Sequence, residues 1–211
     1  MADDFTLYGF GLSGPTYKVA LMLTLSGRRY AYRHVNLMEG AQRKPEYLAL
    51  NRFGVVPALK HGDMALSQSG AILEYLADTL GTFRGDDETA RIRSREWLFY
   101  DADVLSPGMY RCRAIRRGLI KAEPPVEEHF RGAGGRALKL LERSLADTPF
   151  LTGKSPTIAD IACHGSVWFA GEGAHDLEPF PNVKAWMDRV AALPHYKAPY
   201  DLLPTQDTAA A

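Results

Sequence analysis

Two runs of aromatic and β-branched residues, Phe5 to Gly9 and Tyr30 to Leu37, flank one helix-length apolar stretch from Tyr17 to Leu25. That order constrains the fold most, because strand, helix and strand in this succession form a βαβ unit whose two strands run parallel. Pro15 suits a first helical turn and Gly27 a helix stop. After a polar stretch from Glu39 to Lys44, Pro45 to Leu50 reads as a short helix, and Val55-Val56-Pro57-Ala58-Leu59 leads into another strand. His61-Gly62-Asp63-Met64 supplies a tight hairpin turn. Behind Gln68-Ser69, the residues Ile72, Leu73, Leu76 and Leu80 recur at helical spacing. Residues 1–80 therefore read as an α/β domain in the order βαβ-α-ββα.

Beyond Gly81 the strand signals stop. A polar linker over 81–87 precedes a helical pattern from Glu88 to Gly118, interrupted at Pro107-Gly108 and read as one kinked helix or two abutting ones. Further helices are expected from Val126 to Leu145, Thr157 to about Ala170 and Val183 to Leu193, which makes 88–211 an all-helical domain. The short polar tail after Pro204 is expected to fray. A chain of 211 residues has room for two such domains. With 25 basic against 25 acidic residues there is no global field to draw in nucleic acid or an anionic membrane, and neither is expected as a partner. No apolar run approaches the ~20 residues of a membrane span, and the acidic start Met1-Ala2-Asp3-Asp4 is unlike a secretory leader, so a cytoplasmic protein is expected. Cys112 and Cys163 are read as reduced, structural thiols, and the six histidines lack metal-ligand spacing, so no metal is expected.

Two places carry chemistry. Ser13 stands at the start of the first helix, where unpaired N–H groups and the macrodipole favour a negative charge such as a thiolate. Its hydroxyl could cap the helix or donate to that thiolate. Tyr8, at the end of the first strand, and Thr16, one turn on, are the competing hydroxyls; strand core suits the first and a bond back to the backbone the second. Gln68-Ser69 precedes another apolar-periodic helix, which makes Ser69 a natural N-cap and its helix start a receiver for a carboxylate. Thr157 with Asp160 has capping-box spacing and is assigned to folding.

Leu7-Tyr8 with Ser13-Gly14-Pro15-Thr16-Tyr17-Lys18-Val19, then Val55-Val56-Pro57-Ala58-Leu59, then Gln68-Ser69, together resemble the glutathione transferase family, in its serine-type, bacterial-like cytosolic form. Thr157-Ile158-Ala159-Asp160 resembles that family's second-domain signature. The resemblance implies a thioredoxin-like first domain and glutathione as co-substrate. It implies that Ser13 stabilises the thiolate, that Val56-Pro57 is a cis bond presenting the Val56 backbone, and that Gln42, Gln68 and Ser69 complete the glutathione contacts. It also implies a second-substrate pocket involving Phe10, Leu12, Tyr100, Met109, Tyr110 and Arg113, where the basic group Arg113, Arg116 and Arg117 either meets an anionic acceptor or forms a solvated face. The activity implied is conjugation of glutathione to small hydrophobic electrophiles, as in detoxification, by a homodimer. A glutathione-dependent peroxidase or reductase, and a non-catalytic ligand-binding or protein-interaction module, are the alternatives. Two departures stand out: Gln68 where many relatives have glutamate, and Val55 where many are polar or basic.

Overall fold

A computed structural model describes residues 5–209, so the acidic start at 1–4 lies outside the described residues. The chain divides into two units, one formed by residues 5–82 with 193–209 and the other by 83–192.

The first unit holds a four-stranded sheet in the order β2-β1-β3-β4, built from β1 (Phe5–Gly9), β2 (Tyr30–His34), β3 (Ala58–His61) and β4 (Met64–Ser67). β1 runs parallel to β2 and antiparallel to β3, with Leu7 opposite both Tyr32 and Leu59. Its side chains alternate as a two-residue period requires: Phe5, Leu7 and Gly9 are buried, while Thr6 and Tyr8 point to the other face and are half-buried. The joining helix α1 (Gly14–Leu25) is apolar nearly all round and buried from Thr16 to Leu23, with α3 (Ser69–Leu80) among its neighbours. A short helix, α2 (Pro45–Leu50), follows two 3₁₀ turns, Leu37–Glu39 and Ala41–Arg43. This is the thioredoxin-like arrangement read from the sequence.

Element boundaries shift for identifiable reasons. β2 stops at His34 because Asn36 caps the first 3₁₀ turn, accepting from the Met38 N–H at 3.1 Å. β3 begins only at Ala58, since the Val55 carbonyl is held by the Tyr47 hydroxyl (2.8 Å) and the Asn51 amide (2.6 Å). The larger correction concerns the C-terminus, which the helical reading placed in the second domain with a frayed tail. Residues 193–209 belong to the first unit. The Tyr17 hydroxyl donates to the Lys197 carbonyl, α9 (Pro199–Leu202) packs on α1, and Thr208 forms an antiparallel bridge with Tyr32. Strand β2 is a sheet edge, and its unpaired backbone groups give the tail something to bind.

In the second unit, α4 (Glu88–Tyr100) runs through a π-helical turn, Asp101–Leu105, into α5 (Ser106–Arg116). The sequence pattern put the interruption at Pro107-Gly108; the distortion falls just before it. Pro107 has no N–H and its ring crowds the preceding turn, and the widened turn, in which the Ser106 N–H reaches back to the Asp101 carbonyl, absorbs that conflict. The buried Asp101 carboxylate accepts from the Ser166 hydroxyl at 2.6 Å and the Ser106 hydroxyl at 3.1 Å. The remaining helices are α6 (Pro124–Ser144), α7 (Ile158–Val167) and α8 (Pro181–Ala191).

Helices α5 and α6 meet backbone to backbone at two glycines. A Cβ on Gly108 would lie 2.6 Å from the Gly134 backbone, and one on Gly134 would strike the buried His175 ring. Gly108→Ala is expected to lower stability by about 2–3 kcal/mol through forced separation of the two helices. Urea denaturation checks this, and a loss below about 0.5 kcal/mol, the range of a neutral surface change, would show that the helices can part without cost.

Candidate functional site

The sheet register gathers the motif residues at one end. Tyr8 pairs with Ala58, and Ala58 pairs with Ser67. The chain leaving β1 toward Ser13, the chain reaching β3 through Val56-Pro57 and the chain leaving β4 into Gln68-Ser69 therefore lie side by side at the same edge.

Ser13 adopts an extended backbone and caps α1, its Oγ accepting the Thr16 N–H at 3.2 Å. Its own O–H has no acceptor among the described residues, so capping and donation to a ligand are compatible. The first turn of α1 carries no acidic side chain, which leaves the positive end of the helix uncompensated. Gly9 is needed beneath it, since a Cβ there would collide with the Thr16 methyl group.

Val56-Pro57 is a cis peptide. The Val56 side chain is buried, and neither its N–H nor its carbonyl has a partner among the described residues. Unsatisfied backbone groups of this kind suit pairing with an extended peptide. Sequence reading missed what holds this segment. Asn51 is buried, donates to the Val55 carbonyl and accepts the Phe53 N–H at 3.0 Å, so one amide ties the loop from both sides. Burial pushes the Tyr47 phenol up to about 12, which keeps it a donor to the same carbonyl at neutral pH. The only sequence signal was an Asn between a short helix and Gly54. Asn51→Ala is expected to cost about 2 kcal/mol, as removal of a buried hydrogen-bonding group does. Thermal denaturation checks it, and an unchanged midpoint would mean the loop is held by Tyr47 alone.

At the third strand exit, the N-cap of α3 is Gln68 and not Ser69, because the first helical bond runs from the Ile72 N–H to the Gln68 carbonyl; Ser69 is the first helical residue. No side chain caps this helix and its first turn has no acidic residue, so its leading N–H groups await an acceptor. Gln68 has φ +69°, a conformation that side chains rarely adopt and that costs of order 1–3 kcal/mol where it persists. Gln68→Gly is expected to raise the denaturation midpoint while weakening binding of an anion at this helix start. Midpoint and ligand affinity moving together would contradict a strained functional position.

Gln42 lies in the second 3₁₀ turn, with its backbone carbonyl 3.4 Å from where a Gly54 Cβ would stand, and so beside the Val55 loop. Its side-chain Oε1 is buried without a partner. Tyr8 turns to the opposite face and packs against Val35, Tyr47, Val56 and Ala58; Thr16 is buried with Oγ1 3.5 Å from the Phe10 N–H. The Tyr8 ring is thus engaged in packing and the Thr16 hydroxyl is turned toward the Phe10 N–H. A groove of about 580 Å³ on the α2 face of the sheet touches Tyr8, Arg33 and Lys60 but none of Ser13, Gln42, Val56 or Gln68.

Phe10 and Leu12 flank Ser13 and are half-buried, with the Phe10 ring 5.7 Å from that of His34. The helical residues expected in the pocket behave differently. Met109 is fully buried, and Arg113 is buried with Nε 2.8 Å from Glu172 and its guanidinium 4.1 Å above the Phe169 ring. These two belong to the core of the second unit, because the apolar stripe of α5 faces α6 and the turn at Gly171–Gly173. Tyr110 is half-buried and donates to the Gly165 carbonyl, and Tyr100 stands edge-on to Trp97. Arg117 shares Glu172 with Arg113, and Arg116 lies 4.0 Å from Glu127, so each of the three arginines has an acidic neighbour. Cys112 and Cys163 are buried thiols outside any disulfide, and burial pushes the Cys112 thiol up. Among the described residues no group of acidic, histidine or cysteine side chains is placed to hold a metal, and no helix is long and apolar enough to cross a membrane.

Comparison with known proteins agrees with this fold. Residues 3–78 match the glutathione S-transferase N-terminal domain and residues 111–194 the glutathione S-transferase C-terminal domain. The chain is 33% identical to human glutathione S-transferase theta-2 over 86% of its own length and 78% of that protein. It is 29% identical to the disulfide-bond oxidoreductase YfcG of Escherichia coli, over 84% of its own length and 86% of that protein. A solved glutathione transferase family member from Pseudomonas fluorescens, crystallised with two glutathione molecules bound, superposes with a TM-score of 0.84 at 26% identity, covering 97% of this chain and 95% of that one. With both domains matched and the fold shared, the chain belongs to the glutathione S-transferase family.

Proposed function

We propose that the protein is a glutathione transferase in which the Ser13 hydroxyl stabilises the glutathione thiolate for attack on a small hydrophobic electrophile. The observation that carries this reading is the Ser13 hydroxyl itself: it caps an acid-free helix start, has no acceptor of its own, and stands at the sheet end where the unpaired Val56 backbone and the uncapped α3 also lie. In this reading Val56 pairs with the cysteinyl backbone of glutathione, the α3 start with Gln68 and Ser69 takes the γ-glutamyl end, and Gln42 takes the glycine end. The solved relative with bound glutathione supports the ligand. The electrophile meets the sulfur beside Phe10 and Leu12, and holding two reactants together supplies much of the acceleration. A cytoplasmic homodimer serving detoxification completes the proposal, and its size in solution is read by sedimentation.

The test is a titration of the bound thiol by its ultraviolet thiolate absorbance, alongside conjugation of chlorodinitrobenzene. Ser13→Ala is expected to raise the thiol pKa by about one unit and to lower kcat/KM about 10–100-fold, since one lost thiolate hydrogen bond is worth roughly 1.4–2.7 kcal/mol, with glutathione affinity within a few-fold. Unchanged activity in the variant would remove Ser13 from the mechanism. The oxidoreductase relative favours a second reading, glutathione-dependent reduction; turnover of a small disulfide without conjugation would select it.

A further inference from the structure

The C-terminal segment passes directly over the loop that carries Ser13. A Cβ on the buried Gly11 would lie 3.2 Å from the Pro204 carbonyl and 3.7 Å from the Thr205 methyl group, so the tail rests on the backbone between Phe10 and Leu12. A few residues on, the same segment is fastened to β2. The Asp207 carboxylate accepts the His34 N–H at 2.8 Å, Thr208 exchanges two backbone hydrogen bonds with Tyr32 at 3.0 and 3.1 Å, and Arg33 donates to the Thr208 carbonyl at 3.1 Å. His34 in turn touches the Phe10 ring. The segment therefore bridges the outer edge of the sheet and the β1–α1 loop, with Asp207 at the anchored end.

We propose that residues 203–208 act as a strap that holds the Phe10–Ser13 loop, and that Asp207 is a positioning residue for the Ser13 hydroxyl. This rests on the reading of Ser13 given above. The physical argument is one of stiffness. The loop between Gly9 and Gly14 is tied at its two ends, by the bonds of Phe10 and Ser13 to Thr16 and by the Ser13 N–H to the Phe10 carbonyl at 2.9 Å, while the strap packs on Gly11 at its middle. A hydroxyl aimed at a thiolate needs its distance kept within a few tenths of an ångström, and packing on the middle of the loop narrows the geometries that it samples. The Asp207 carboxylate bonds the His34 N–H at the exposed sheet edge, alongside the two backbone bonds of Thr208, and the Arg33–Asp207 pair, 4.0 Å apart and exposed, adds little.

Asp207→Ala in the full chain loosens the anchored end, leaving the Thr208 bridge in place, without touching the glutathione site. Amide exchange of the Ser13 N–H is expected to accelerate about tenfold, and kcat at saturating glutathione to fall about tenfold with the apparent thiol pKa raised, while KM for glutathione stays within about twofold. Asp207→Asn, which keeps the acceptor oxygen, should behave nearly as the natural protein. Gly11→Ala pushes on the strap from the other side and should move the same readouts in the same direction. A variant Asp207→Ala with a lowered denaturation midpoint but unchanged Ser13 exchange and pH–rate profile would overturn the proposal and leave the segment a cover for the edge of β2. The exchange measurement needs no glutathione, so it decides the strap even if the natural protein fails to bind glutathione and the functional reading falls.

Discussion

Asp160→Ala is expected to remove about 4 kcal/mol of stability, a large part of the ~5–15 kcal/mol that holds a typical domain folded. The carboxylate is completely buried and every strong donor around it is spoken for. Oδ1 accepts the Leu151 N–H and the Trp186 indole N–H, each at 2.9 Å, and Oδ2 accepts the Thr157 N–H at 2.8 Å and the Thr157 hydroxyl at 3.3 Å. Burial pushes the Asp160 carboxyl up, and these four donors oppose that. Together they join the start of α7, the loop at Leu151 and helix α8 through one side chain. Truncation strands two backbone N–H groups and an indole N–H in the interior, each worth about 1–3 kcal/mol when left unmade. The terms are not additive because the surroundings relax. Asp160→Asn keeps the shape but turns an NH₂ toward a donor, so it should cost less than alanine and still about 2–3 kcal/mol. Urea denaturation at neutral pH measures both. A loss under 1 kcal/mol for the alanine variant would mean that the helix cap, and not the cross-links to Leu151 and Trp186, was all that Asp160 supplied.

That residue also shows what a sequence can disclose. Thr157 and Asp160 announce a helix start by their spacing alone, because a capping box is a local arrangement. The bonds to Leu151 and Trp186 were invisible, since nothing local in the chain says which distant donors will converge on a buried acid. The same division runs through the fold. The βαβ unit, the hairpin at Gly62 and the alternation along β1 follow from short-range periodicity. Docking of residues 193–209 onto the first unit does not, because a polar stretch such as Pro204 to Asp207 carries no pattern that distinguishes a frayed end from one pinned to a sheet edge. At the candidate site, the Ser13 cap of α1 and the cis Val56-Pro57 bond were legible because they are tied to helix starts and to proline. Ser69 was misplaced by one residue as the cap, because Gln68 has to adopt a positive φ that sequence gives no reason to expect. Met109 and Arg113 were placed on an open wall because an apolar or long side chain on an amphipathic helix does not reveal what its face meets; a close-packed α6 and Glu172 meet them.

Acid should weaken the fold steeply through His164, and the sign follows from where its proton binds. The ring is wholly buried in α7 beside Trp186, and burial holds its pKa down to about 3 from an ordinary 6.5. The unfolded chain takes up the proton as pH drops through 6.5, whereas the folded protein refuses it until near 3, so the unfolded state binds more protons across that interval. Stability from this group is complete above 6.5 and is lost progressively as pH falls. The full lever is on the order of 4–5 kcal/mol, and about 2 kcal/mol of it is gone by pH 5. His175, also lowered by burial though opposed by its 3.1 Å contact with the Gly108 carbonyl, adds in the same direction. Asp160 acts in the opposite sense, because a carboxyl raised in the folded state gains stability from protonation. The diagnostic is therefore a difference between two proteins. Urea midpoints of the natural chain and of His164→Asn, taken at pH 7, 6 and 5, cancel the contributions that both share. The variant should start less stable at pH 7, because a smaller side chain leaves part of the His164 site empty, and the gap should narrow by about 2 kcal/mol at pH 5. Parallel curves would place the acid sensitivity elsewhere and would mean that the folded interior accepts a proton at His164 far more readily than its burial allows.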